Sequence, residues 1–584
     1  MAANRRLILF SVFFLIPILS IAQLRNPFSA PTPEQNEWVD SVFKSLKRKE
    51  RIAQMFFIRA HTDKGKAYED SIGQIIKTDK VGGLVFFQGG PARQRDLTRR
   101  YQDLAQTPLL VAMDAEWGLG MRLDSTISYP YQLTLGAIRD TALLYQMGRQ
   151  IAKEFKTMEM HLNFAPVTDI NNNPRNPVIG YRSFGDNKYD VASRAIAYMR
   201  GMQDEGILTS IKHFPGHGDT EVDSHHDLPV LGFSRQRLDS LELYPFREAI
   251  KAGALGVMVA HMQIPALDTT ARLPSTLSPR IVTDLLKKEL GFNGLAISDA
   301  MEMKGVVKFF PNGEADVRAV KAGNDIIELS EDTHRAIKLV KKAIRKGEIS
   351  REQINTSVKK ILAAKYWAGL ASSQPHDTSN VVRGLNTTEA KSLNQRLADA
   401  SATLLKGDSA LKALNPLART AIISLGVTET TVFQNELRRH FPNSYNFLIS
   451  KIASATELRK VQSELKNYEQ IVVAIHDYRK RPQSTLDYNA QLKLFIAELA
   501  RLNAVTCVFA NPYTMAGLPG LEASKAVLVQ YQNSEESQRA AAKVVSGLMQ
   551  ANGRLPVNVN SFFRYGDGID YFPPPASVTG SLGN

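Results

Sequence analysis

Between Ile52 and Leu329 the chain repeats one unit: a short apolar run followed by an amphipathic stretch. The runs fall at residues 52–59, 81–87, 109–114, 162–168, 208–213, 256–261, 295–299 and 325–329. Most are unbroken Val, Ile, Leu, Phe and Met rather than alternating apolar and polar residues. That is the composition of parallel strands buried on both faces. Helical patterns such as 140–154 and 235–252 lie between them. Eight buried strands separated by helices predict an α/β fold, a (β/α)8 barrel of TIM type, within a unit spanning residues 23–370 that carries an N-terminal extension.

The remainder divides by composition. Residues 351–370 read as a long amphipathic helix, and the polar, breaker-rich stretch that follows predicts a linker over 371–400. Further buried-strand runs at 420–425, 471–475, 505–510 and 526–530, alternating with helices such as 534–549, predict a smaller open α/β sheet domain over 401–565. The Pro-, Gly- and Ser-rich end predicts a weakly ordered tail over 566–584.

At the other end, Arg5 and Arg6 precede an apolar run from Leu7 to Ile21, and Ser20-Ile21-Ala22 offers a small-x-small cleavage site. The apolar run is shorter than the ~20 residues of a spanning helix. Residues 1–22 therefore read as a secretory signal peptide, which predicts a periplasmic or secreted protein with no stable membrane insertion after cleavage. The formal net charge of +14, less those two arginines, suits an acidic cell-wall polymer. No zinc-finger, RNA-recognition or phosphate-loop motif supports nucleic acid or nucleotide as a partner. Cys507 is the only cysteine, which excludes an intramolecular disulfide and cysteine-rich zinc sites.

The ends of the apolar runs carry the chemistry. Arg59, Asp114, Asp169, Lys212-His213, His261 and Asp299 stand where the runs stop. In a parallel barrel these positions converge on one face, where barrel active sites lie. The densest cluster is KHFPGHGDTEVDSHHD, Lys212 to Asp227, with histidines at 213, 217, 225 and 226 and acids at 219, 221, 223 and 227. Its prolines and glycines predict a strand end running into a loop. Three chemistries fit this composition: a metal site, a general acid/base dyad, or a solvated polar loop. For the dyad, Asp223 and His225 stand two apart, so extended backbone would point both side chains the same way. Asp299, at the end of the 295–299 run, is a nucleophile, a metal ligand or a structural cap on the following turn.

Taken together, HFPGHGDTEVDSH, the SDAM sequence around Asp299, NPVIGYRSFG at residues 176–185 and AGND at 322–325 resemble family 3 glycoside hydrolases, and among them the β-N-acetylglucosaminidases. The resemblance runs from about Leu46 to Leu370. It implies that Asp299 attacks the anomeric carbon, that His225 is the acid/base and that Asp223 is its partner. It also implies that Asp114, Arg122, Arg182, Lys212 and His213 contact the sugar, with a structural ion pair as the other reading of the arginines. His261 and Glu116 face the same bowl, in an orienting or binding role. The activity so implied is release of terminal N-acetylglucosamine from cell-wall muropeptides or related glycans with retained configuration, without metal or organic cofactor.

Two positions depart from the family pattern. Trp117 stands where compact members carry glycine, narrowing the bowl or adding a stacking surface, and Tyr181 replaces a common acidic residue. Within the same fold, phosphorolysis is an alternative, because a neutral histidine repels phosphate less than a carboxylate does. The DSH element argues against β-glucosidase, since many of those take their acid from outside this loop. A glycan-binding scaffold is the non-enzyme alternative, opposed by the presence of Asp299, Asp223 and His225 together.

Overall fold

The computed structural model describes residues 26–224, 226–372 and 380–573. The expected signal peptide, His225, residues 373–379 of the expected linker and residues 574–584 of the expected tail lie outside the described residues.

Eight strands form the barrel: β1 (Phe56–Ala60), β2 (Gly83–Phe86), β3 (Leu110–Met113), β4 (Leu162–Asn163), β5 (Leu208–Phe214), β6 (Gly256–Val259), β7 (Leu295–Ser298) and β8 (Ile327–Glu328). They are parallel, in the order β7-β6-β5-β4-β3-β2-β1-β8. A bridge between Ile297 and Ile326, with the Ser298 amide donating to the Ile326 carbonyl at 2.9 Å, nearly closes the cylinder. Every residue of β2, β3, β5, β6 and β7 is buried, which accounts for the apolar runs of β2, β3, β6 and β7, whereas β5 buries Thr209, Ser210, Lys212 and His213 as well.

The first run begins with helix rather than strand: Ile52 and Ala53 close the helix Arg48–Ala53, whose apolar face packs into the same core. Ahead of it, the helix Pro33–Ser45 starts on a Thr32 cap and lies against Arg351–Trp367, with Trp38 and Tyr366 ring centroids 6.0 Å apart.

The second domain is a six-stranded mixed sheet of β9 (Thr403–Lys406), β10 (Thr420–Leu425), β11 (Ser444–Ile449), β12 (Gln470–His476), β13 (Val505–Phe509) and β14 (Ala526–Val529). Its order is β11-β10-β12-β13-β14-β9, with only β9 antiparallel. The two strands without a clear apolar run in the sequence are the edges. β11 has exposed or half-exposed residues through most of its length, and β9 holds four residues.

Two boundaries differ from the sequence expectation. The stretch 371–400 is not simply a linker: the helices Val381–Leu385 and Thr388–Ser401 form on Asn380 and Thr387 caps. Val381, Leu385, Leu393 and Leu397 join the barrel's core, and each such burial stabilises by about 1.5–3 kcal/mol. That outweighs the polar composition between them. The segment 566–573 is also ordered: Ile569 bridges Leu404, Tyr571 bridges Ala551, and Tyr571 is fully buried.

The second domain docks on the loops that leave the C-terminal ends of β3 and β4. The Asn171 side-chain amide donates to the Tyr513 hydroxyl at 3.1 Å, and that hydroxyl donates to the Asn171 backbone carbonyl at 3.0 Å. The Asp186 amide donates to the Pro556 carbonyl, and Asn558 donates twice to the Asp186 carboxylate at 2.7 and 2.8 Å. Between these contacts Gly185 adopts φ +145°, and a Cβ there would stand 2.3 Å from the Pro556 carbonyl oxygen. The glycine of the RSFG motif is thus required by the approach of the second domain.

Candidate active site

Polar side chains from the loop after β3, from β5 and from the loop after β4 meet at the C-terminal mouth of the barrel. Lys212, inside β5 and almost fully buried, donates to Asp114 Oδ1 at 2.7 Å and pairs with Glu116 Oε1 at 2.9 Å. Arg122 holds the other Asp114 oxygen at 2.7 Å, while its guanidinium lies 4.7 Å from the Phe87 ring centroid. Arg182 grips Glu116 with both arms of its fork, Nε at 2.9 Å and Nη2 at 2.6 Å. Charged groups this deep persist only when paired and hydrogen-bonded, and each of these is. Burial alone would raise the Asp114 and Glu116 carboxyls. The cations overcome it, holding Asp114 far below the usual range and Glu116 down at about 2. Burial would likewise lower Lys212, but its two carboxylates hold it above the ordinary lysine value. The site therefore presents fixed charges rather than titrating ones near neutral pH.

The network continues through His213. Its Nδ1 faces Asp169 Oδ2 at 2.7 Å, and its Nε2 faces Arg182 Nη2 at 3.3 Å. A guanidinium only donates, so Nε2 accepts and Nδ1 carries the hydrogen toward the carboxylate. The geometry gives His213 the work of orienting Arg182, beside the expected sugar contact. Asp169 is fully buried and also accepts from the His213 and His217 amides, so it clamps the start of the loop after β5.

That loop is held from beneath by His217. Its ring lies between Thr220 Oγ1, 3.0 Å from Nδ1, and Ser224 Oγ, 3.3 Å from Nε2. Burial, helped by nearby His213, pushes its pKa down to about 4, so the ring is neutral at physiological pH. Gly305, just beyond β7, lies under the Ser224 and Asp227 carbonyls, with no room for a larger residue. His225 lies outside the described residues. On either side of it the backbone turns, with the His226 and Asp227 amides donating to the Asp223 carbonyl at 2.9 and 3.1 Å. The Pro- and Gly-rich approach thus leads into a turn at the described residues Asp223, His226 and Asp227, while the expected alignment of Asp223 with His225 falls on a residue outside the described set. Partly exposed Asp223 lies 3.9 Å from His226 Nε2.

Asp299 follows β7 directly. Its amide donates to the Val259 carbonyl at 3.1 Å, and its Oδ1 accepts from the Ala300 amide at 2.8 Å, fixing one carboxylate oxygen. His261, fully buried at the end of β6, lies 3.0 Å from the Ala300 carbonyl through Nε2 and 2.7 Å from Thr276 Oγ1 through Nδ1. It braces the peptide beside Asp299.

Glu328, the last residue of β8, was not singled out in the sequence. Burial, with the Asp114 and Asp299 charges nearby, raises its carboxyl well above the usual range. The one signal was an acid inside the apolar run Ile326-Ile327-Glu328-Leu329. Trp117 and Tyr181, the two departures from the family pattern, join Tyr131 in an aromatic wall with ring centroids 4.8 to 6.0 Å apart. Trp117 and Tyr181 are sequence neighbours of the paired Glu116 and Arg182, so the wall begins where the ion network ends. Among the described residues no group of three or more His, Cys, Asp or Glu is arranged to hold a metal, and no helix is long and apolar enough to cross a membrane.

This architecture has relatives. The glycosyl hydrolase family 3 N-terminal domain matches residues 48–364. A Beta-hexosaminidase A of Pseudoalteromonas piscicida is 28% identical over 553 residues, covering 84% of this chain and 91% of that protein. The Beta-hexosaminidase LpqI of Mycobacterium tuberculosis is 32% identical over 360 residues, covering 58% of this chain and 88% of its own. The solved structure of a family 3 β-N-acetylglucosaminidase from Paenibacillus sp. str. FPU-7 superposes with a TM-score of 0.74 at 32% identity, over 88% of this chain and 98% of that one.

Proposed function

The chain belongs to glycosyl hydrolase family 3, and we propose that it is an exported, retaining exo-β-N-acetylglucosaminidase that removes terminal N-acetylglucosamine from cell-wall muropeptides or related glycans. One observation carries the reading: Asp299 leaves β7 with an oxygen fixed by the Ala300 amide, in the same bowl as the Asp114–Lys212–Glu116–Arg182 network. A carboxylate and an ammonium side by side offer both acceptors and donors, which suits the hydroxyl groups of a sugar ring.

In the first step an Asp299 oxygen bonds to the anomeric carbon as the glycosidic bond breaks. The leaving oxygen takes a proton from His225, supported by Asp223. In the second step His225 takes a proton from water, the hydroxide oxygen bonds to the anomeric carbon, and the Asp299 ester bond breaks. The similarity to enzymes named β-hexosaminidase supports the sugar, and the apolar leader supports export.

The test uses mature protein on aryl β-N-acetylglucosaminide and aryl β-glucoside, with and without phosphate. Preferential cleavage of the first is expected, with loss of at least ~10³-fold in Asp299→Asn. A 2-fluoro sugar should label Asp299. Labelling elsewhere removes it as nucleophile, and sugar phosphate as main product replaces hydrolysis with phosphorolysis.

A further inference from the structure

The second domain reaches the aromatic wall through the segment between β12 and the helix Ala490–Arg501. Tyr131, the middle ring of the wall, donates through its hydroxyl to the Lys480 carbonyl at 3.1 Å, and its amide donates to Gln532 at 2.8 Å. The segment is folded tightly on itself. Arg479 closes on Asp477 with two hydrogen bonds, at 2.8 and 2.7 Å, and donates to the Thr485 carbonyl at 2.6 Å, while Pro482 is buried. This uses up Asp477, and Asp487, the other carboxylate of the segment, pairs with Lys451 at 2.6 Å. Lys480 and Arg481 at its tip are exposed, and among the described residues neither is joined in an ion pair. The Arg481 charge acts on the Tyr181 phenol, across the wall from Trp117.

The neighbouring ion network needs no further cations, because its lysine and arginines are already matched by carboxylates. Two unmatched cations beside three partly exposed aromatic rings make a mixed surface. The rings offer stacking faces to a sugar, and the cations offer a partner to an anion carried by that sugar.

We propose that Lys480 and Arg481 of the second domain, set against Trp117, Tyr131 and Tyr181, form a leaving-group subsite that selects glycans carrying a carboxylate on the residue next to the one removed. This rests on the glycosidase reading above and extends it to the other side of the scissile bond. A barrel without the second domain would keep the rings and lose the charge selection.

The experiment compares kcat/KM for N-acetylglucosaminyl-N-acetylmuramic acid and for its methyl ester, which has the same shape without the charge. Wild type should favour the acid by about three- to tenfold at low salt, as expected of an exposed charge pair, and less at high salt. In K480A/R481A the acid-to-ester ratio should fall toward one, in K480R/R481K it should persist, and in R481E it should drop below the wild-type ratio. A wild type indifferent to esterification, or a ratio unchanged in K480A/R481A, would overturn the proposal. Aryl β-N-acetylglucosaminide is run on the same preparations. No cleavage of it defeats the glycosidase reading itself, whereas cleavage without acid-to-ester discrimination defeats only the subsite.

Discussion

Glu116 offers the sharpest test of the ion network. It is fully buried and accepts from Arg182 twice and from Lys212 once. These cations outweigh the cost of burial and bring its carboxyl from the usual 4.5 down to about 2. At about 1.4 kcal/mol per pH unit, that difference is worth about 3 kcal/mol of folding stability at neutral pH. Removing one partner of a buried ion pair costs a similar ~3–5 kcal/mol. Glu116→Gln keeps the shape and removes the charge, so it should lower the unfolding free energy of the barrel by about 3 kcal/mol.

The pH dependence has a definite sign. A depressed folded pKa gives stability that is fully present above the unfolded value and lost as pH falls through the folded one. The gap between wild type and Glu116→Gln should therefore be constant above about pH 5 and shrink as pH drops from about 4.5 toward 2. Denaturant unfolding followed by tryptophan fluorescence reports on the right unit, because Trp38, Trp117 and Trp367 all precede the second domain. Equal stabilities at pH 7, or a gap that survives undiminished at the acid end, would refute the reasoning.

Glu328→Gln should behave oppositely. Its carboxyl is raised in the fold, so its ionisation in the unfolded chain costs stability as pH rises above about 4.5. The variant should be as stable as wild type or more so at pH 7, and clear destabilisation in the same unfolding assay would argue against a raised Glu328 carboxyl. His217→Ala removes the side-chain links to Thr220 and Ser224, with an unfolding cost of roughly 2–3 kcal/mol and kcat falling while KM moves less than about twofold. A KM increase matching the loss of kcat would instead give this loop a binding role. Gly185→Ala forces a Cβ against the Pro556 carbonyl at a positive φ and should cost roughly 1–3 kcal/mol, read as a lowered calorimetric midpoint. An unchanged thermogram would mean that the domain interface relaxes freely.

The barrel was legible because buried parallel strands leave continuous apolar runs, and β2, β3, β6 and β7 are of that kind. β9 and β11 were not, since an edge strand buries too little to write a pattern into its residues. Lys212, Asp114, Arg122 and Arg182 could be picked out from motifs, and the structure brings them within hydrogen bonding of one connected network. What joins them was hidden. The step from Asp169 through His213 to Arg182 depends on how β5 and the loop after β4 lie side by side, and no local spacing encodes it. The helices at 381–401 were masked by polar residues that turn out to be their caps and solvent faces. Tyr131 meeting Lys480 spans 349 positions, beyond the reach of any motif.

The ion network has a consequence for how substrate arrives. Asp114, Glu116 and Asp169 equal Arg122, Lys212 and Arg182 in number, so the ion network carries no positive excess, and Asp299 beside it adds a negative charge. The chain's positive excess is therefore carried elsewhere, on surfaces where mobile ions screen it within roughly 10 Å at moderate salt. Salt should slow the capture of an acidic polymer from solution while leaving the steps after capture nearly untouched. A long anionic glycan and a small neutral glycoside would then respond differently to ionic strength at one and the same catalytic centre.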